Sequence, residues 1–124
     1  MKKLLIGLFL TTSLLSFAKD DKFDYLEDKL ELKYQELVDS KNNKLKVDGI
    51  DVKSFNGNTY IDIEIETFSG DGGWNKFDKN SYDKIAKEIA NEVRQLLNNN
   101  EKVEINLILE REIGKDMLLN SNLY

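Results

Sequence analysis

Two alternating runs, Leu45 to Phe55 and Tyr60 to Phe68, stand on either side of Asn56-Gly57. Alternation of apolar and polar residues makes a strand with one dry and one wet face. Asn-Gly readily takes the positive φ values of a tight type I′ turn. With the turn at those two residues, Phe55 faces Asn58, Val52 faces Ile61 and Ile50 faces Ile63, so apolar residues meet on one side of a hairpin. Val47 then matches Ile65 only if one extra residue is absorbed. Gly49 is the natural place for that bulge, because glycine accepts the left-handed conformation such bulges use.

Helical patterns flank the hairpin. From Lys22 to about Ser40, Phe23, Leu26, Leu30 and Leu37 recur at intervals of three or four residues or their multiples, with Tyr34 alongside, which predicts an amphipathic helix. After the hairpin, Asn80 or Ser81 can cap a second helix whose stripe is Tyr82, Ile85, Ala86, Ile89, Ala90, Val93, Leu96 and Leu97. Asn98-Asn99-Asn100 ends it. Val103, Ile105, Leu107 and Leu109 then alternate as a third strand, and the last ten residues fit a short helix or a packed tail.

The order α-β-β-α-β predicts an α+β domain of two layers. Its sheet is three-stranded, mainly antiparallel, in the order 2-1-3, and covered on one face by two helices. The other face carries Asp51, Lys53, Tyr60, Asp62, Glu64 and Glu66, joined by Glu104, Asn106 and Glu110.

The start of the chain speaks to location. Lys2-Lys3, an apolar run from Leu4 to Leu15, and Ser16-Phe17-Ala18 compose an export signal with small residues at −3 and −1 of a cut before Lys19. The run is shorter than the about 20 residues a stable bilayer anchor needs. Residues 1–18 are therefore expected to be a signal peptide and 19–124 one small α+β domain, periplasmic or secreted, with no membrane span once the signal is removed. The leader holds two of the 18 basic residues and none of the 23 acidic ones, so the remainder is acidic by 7. That balance disfavours nucleic acid or an anionic lipid surface as partner. With no His and no Cys, thiol chemistry, Ser-His catalysis and His- or Cys-ligated metals and haem are removed together.

Three features remain as candidates. Asp62, Glu64 and Glu66 share one side of one strand, an acidic stripe suited to a basic protein segment or to divalent cations, though no loop has the calcium-binding D-x-[DN]-x-[DN]-G pattern. The Gly70-Asp71-Gly72-Gly73-Trp74 loop places a lone tryptophan beside Asp71 and near Phe77, a combination that suits a sugar face or a partner's apolar anchor if the ring is exposed, and a core cap if it folds back. Ser81-Tyr82-Asp83-Lys84 matches the S-x-x-K of serine acyl-enzymes but lacks the companion motifs, so Ser81 reads as a helix cap.

Helix, hairpin, helix and the final strand Val103–Leu109, over residues 22–111, resemble in element order the carboxy-terminal domains of the TonB and TolA energy-coupling proteins. The proline-containing segment of TonB domains is absent here. Together these readings predict an exported, non-catalytic binding module that holds another envelope protein, with no cofactor and no metal. The alternatives are a glycan- or cell-wall-binding protein using Trp74, and a cation-binding periplasmic protein using the acidic stripe.

Overall fold

The computed structural model describes residues 12–67, 73–112 and 114–124, with side chains from Lys22 onward except that of Thr67. The element order is α1 (Thr12–Lys33), β1 (Glu36–Val38), β2 (Lys44–Phe55), β3 (Asn58–Thr67), a 3-10 turn (Trp74–Lys76), α2 (Lys79–Leu97), β4 (Val103–Arg111) and β5 (Met117–Leu123). The α+β class holds: the described residues form two α-helices and one five-stranded sheet in the order β1-β2-β3-β4-β5.

The hairpin forms in the expected register: Phe55 pairs with Asn58, Val52 with Ile61, and Ile50 with Ile63. Asn56 and Gly57 have φ of 54° and 81°, as a type I′ turn demands. The ladder shifts between Val47 and Gly49, so that Val47 reaches Ile65 across a bulge.

Three sheet details correct the expectation. The strand Val103–Arg111 lies parallel to β3 and directly beside it, Ile61 against Ile105 and Ile63 against Leu107. It does not cross to the far side of the hairpin, because that side is occupied. β1 pairs there with Lys44 to Lys46, in a segment where the helix expected to reach about Ser40 stops short: α1 ends at Lys33 and Leu37 enters the core from a strand. The chain's end supplies β5, antiparallel to β4. At its other end α1 passes through the expected cleavage point after Ala18 as continuous helix, while residues 1–11 lie outside the described residues.

Leu26 and Leu30 of α1, Ala86, Ile89, Ala90 and Val93 of α2, and the inward residues of β2, β3 and β4 form one core. Ala86 and Ala90 are fully buried, the small contacts that let α2 lie close on the sheet. The cap of α2 is Asp78, two to three residues earlier than expected, and its carboxylate accepts from the Ser81 amide at 2.9 Å. Asn98, with φ 56°, closes the helix where the asparagine run predicted.

Asp39 ties these parts together. Its carboxylate accepts from the Lys41 amide at 2.9 Å and the Asn43 amide at 2.7 Å, holding the β1–β2 turn. It also accepts from Asn43 Nδ2 at 2.9 Å and from the Asp78 amide at 2.8 Å, at the start of α2. Burial alone would raise its pKa, but these four donors outweigh burial and hold the carboxyl down at about 2.

Candidate functional site on the open sheet face and its edges

Alternation leaves the sheet face opposite the helices polar, and parallel pairing of β3 with β4 decides which polar groups meet. Tyr60 stands beside Glu104, Asp62 beside Asn106, Glu64 beside Ile108 and Glu66 beside Glu110. A network forms at one end. Lys53 Nζ lies 2.8 Å from Asp62 Oδ2 and 3.9 Å from Asp51. Asn106 Nδ2 donates to Asp62 Oδ1 at 3.0 Å and to Glu104 at 3.3 Å. Asp62 is only 8 % exposed, so its charge is well enclosed by these donors. The hydrogen bond that Lys53 donates to Asp62, and the charge of that carboxylate, raise the pKa of Lys53. The network floors a depression of about 530 Å³ that reaches Asp116, Leu118 and Ser121 at the β5 side.

At the other end the acids crowd. Carboxylate oxygens of Asp48, Glu66 and Glu110 all lie within 4.8 Å of one another. The bulge at Gly49 brings Asp48 there, and Glu64 passes so close that a Cβ on Gly49 would sit 3.0 Å from its Oε1. A hydrogen bond shared with Asp48, then burial and the charges of Glu64 and Asp116, push the Glu110 carboxyl up to about 7. Burial, then Asp51 and Asp62, raise that of Glu64.

The two edges of the sheet are treated differently. Beyond β1 the outer amides of β2 face α1, and two carboxylates meet them: Glu31 accepts from Ile50 N at 2.8 Å and Glu27 from Val52 N at 2.8 Å. The fit is geometric. Four helical residues rise about 6 Å and two strand residues about 6.8 Å, so an i,i+4 pair of acids spans an i,i+2 pair of amides. This edge is closed. Burial, opposed by the Val52 amide and reinforced by Asp51, pushes Glu27 up to about 7.

β5 forms the opposite edge, and among the described residues no strand pairs with its outer side. Val103 and Tyr124 exchange both backbone hydrogen bonds, at 3.1 and 2.9 Å. In an antiparallel ladder such pairs alternate, so the amides and carbonyls of Ser121 and Leu123 point away from β4. Leu118 and Leu123 are exposed large apolar side chains on this strand.

The tryptophan loop is placed otherwise. Trp74 is 8 % exposed, its ring 5.1 Å edge-on from Tyr82 and 6.2 Å from Phe77, which is itself buried. The Lys79 ammonium lies 4.1 Å above the indole centroid and donates to the Trp74 carbonyl. Both aromatic residues read from the sequence as contact residues are therefore core residues in this structure, because Tyr82 at the start of α2 offers the ring a dry neighbour. Asp71 lies outside the described residues. Of the acidic stripe, Asp62 belongs to the Lys53 network, Glu66 to the Asp48–Glu110 cluster, and Glu64 lies between them. The β5 edge was missed, since Met117–Leu123 has no clean alternation; its lack of charge was the available signal.

The protein-family models, the curated proteins and the solved structures searched contain no match to this chain. Among the described residues, no helix is long and apolar enough to cross a membrane.

The pKa shifts give a pH profile for stability. Glu27 and Glu110 bind their protons more tightly folded than at the ordinary glutamate value of 4.5. Their contribution is complete below that value and is lost as pH rises through about 7. Asp39 works in the opposite sense, contributing above its ordinary value of 3.8 and losing that contribution as pH falls toward about 2. Melting temperature followed from pH 3 to pH 9 is expected to peak near pH 4 to 5 and to fall toward pH 8. Glu110→Gln is expected to flatten the alkaline limb, because a neutral amide still donates to Asp48 without repelling Glu66. A melting temperature that climbs from pH 5 to pH 8 contradicts this reading.

Proposed function

We propose that the chain is an exported, non-catalytic binding module of the bacterial envelope, which takes an extended segment of a partner protein as a sixth strand on the β5 edge. The observation that carries the reading is the contrast between the edges: one is closed by β1 and the Glu27–Glu31 pair, the other presents outward backbone groups at Ser121 and Leu123. Natural sheets protect such edges with a covering element, proline, a bulge or inward charge; the one irregularity here, at Leu119, lies before the regular stretch from Asn120 to Leu123, and an open stretch of that kind pairs readily with another chain. The leader at residues 1–18 supports export to the periplasm or beyond.

Proline tests it. Ser121→Pro removes an outward donor and leaves the ladder to β4 intact, a substitution edge strands tolerate. The variant is expected to keep its melting temperature within about 3 °C, a change of well under 1 kcal/mol, and to lose the envelope protein that the natural chain captures. Leu123→Pro serves as a second variant with the same geometry. Undiminished capture by both folded variants overturns the reading.

A further inference from the structure

The β5 edge lies between two depressions of opposite charge. On the open face the depression of about 530 Å³ holds three carboxylates, Asp62, Glu104 and Asp116, against one ammonium, Lys53. Lys53 is already engaged by Asp62 at 2.8 Å, which leaves Glu104 and Asp116 without a basic partner among the described residues. On the helix side a depression of about 480 Å³, reached from Asn122 and Tyr124, holds Lys87, Arg94 and Lys102 against Asp83. Asp83 pairs with Lys87 at 3.5 Å and accepts from the Tyr124 hydroxyl at 2.8 Å. Arg94 donates to the backbone oxygen of Tyr124 at 2.6 Å and to Asn91 Oδ1 at 2.7 Å, which fixes its guanidinium at the end of the strand. Lys102 is exposed and has no ion pair among the described residues. Between the two depressions β5 carries no charged side chain from Met117 to Leu123.

Side chains of a strand alternate between the faces of its sheet, so an added strand aims every second residue at one depression and the rest at the other. We propose that the segment received at β5 alternates in charge, with Lys or Arg on the open face toward Glu104 and Asp116, and Asp or Glu on the helix face toward Lys102. The proposal rests on the strand-addition reading above and names the chemistry of its occupant. Leu118 and Leu123 fit the same occupant, because the methylene stems of Lys and Arg pack on exposed apolar side chains while their charged ends reach farther. A second copy of this chain fits poorly. Antiparallel pairing of β5 with itself, about a two-fold axis normal to the sheet, brings no charge to either depression and sets acidic beside acidic and basic beside basic.

The test uses the full chain and three synthetic eight-residue peptides: alternating Lys-Glu, the same composition as a Lys block followed by a Glu block, and a neutral alternating Thr-Ser. Binding is read at low salt by fluorescence anisotropy, and its site by protection of the Ser121 and Leu123 amides in hydrogen exchange. The alternating peptide is expected to bind at least about tenfold more tightly than either control, to protect both amides, and to lose that advantage on the Glu104→Lys, Asp116→Lys variant. If all three peptides bind equally and protect the edge, the charge pattern is overturned and strand addition stands. If no peptide protects the edge, or Ser121→Pro binds the alternating peptide as the natural chain does, strand addition fails and the charge proposal with it. A concentration-dependent dimer that Ser121→Pro abolishes assigns the edge to a second copy and overturns the proposal.

Discussion

Trp74→Ala is expected to be among the most destabilising single substitutions in this chain, costing about 3–5 kcal/mol and lowering the melting temperature by about 15 °C or more. The indole is nearly fully buried, lies edge-on to Tyr82, stacks on Phe77 and carries the Lys79 ammonium over its ring. Truncation leaves a cavity at the start of α2 and takes away the ring on which the Lys79 ammonium rests. Thermal melting followed by circular dichroism measures it directly. A shift of about 2 °C or less, the size expected of an ordinary surface change, would place the ring outside the core and return it to the list of contact residues.

The second large effect is expected at Asp39. Asp39→Ala removes the acceptor of four donors in one step, and two of those, the Asn43 and Asp78 amides, belong to different parts of the chain. Unpaired buried donors are costly, so the melting temperature is expected to fall by about 10 °C. Asp39→Asn discriminates between charge and shape. The amide keeps one acceptor oxygen but points a donor at other donors, so it is expected to recover little. Because the native carboxyl sits at about 2, the natural protein should also lose stability progressively as pH falls below about 4, and Asp39→Ala should show a shallower acid limb, the remainder belonging to Asp78, whose carboxyl the Ser81 donors also hold down. An unchanged acid limb in the variant would assign acid sensitivity to another carboxylate.

Trp74 and Asp39 show how far local sequence reaches. The tryptophan follows a glycine-rich loop, and nothing in its neighbours tells whether it turns outward or inward; Tyr82, eight residues on, decides it through tertiary packing. Asp39 lies near the end of a segment whose apolar spacing fits a helix as well as it fits a helix followed by a three-residue strand. Its role depends on Asp78, thirty-nine residues away. The edge pair Glu27 and Glu31 reads along the helix as solvated charge and becomes a cap for Ile50 and Val52 only once α1 lies against β2.

What the chain's own order of residues determined is everything governed by short-range period and turn chemistry. That includes the hairpin, its register, its bulge at Gly49, the apolar stripe of α2 with its asparagine stop, the strand Val103–Arg111, and the acidic character of the open face. These follow from interactions between residues a few positions apart, where alternation and allowed φ values leave one arrangement. Tertiary structure alone decided that β4 lies beside β3, which brings Asn106 to Asp62 and Glu110 to Glu66. It also recruited β1 and β5 and left one edge closed and the other open. The physical reason is that strand adjacency is chosen by competition for backbone hydrogen bonds across the whole sheet. A local pattern states which face of a strand is dry and does not state which neighbour it will have.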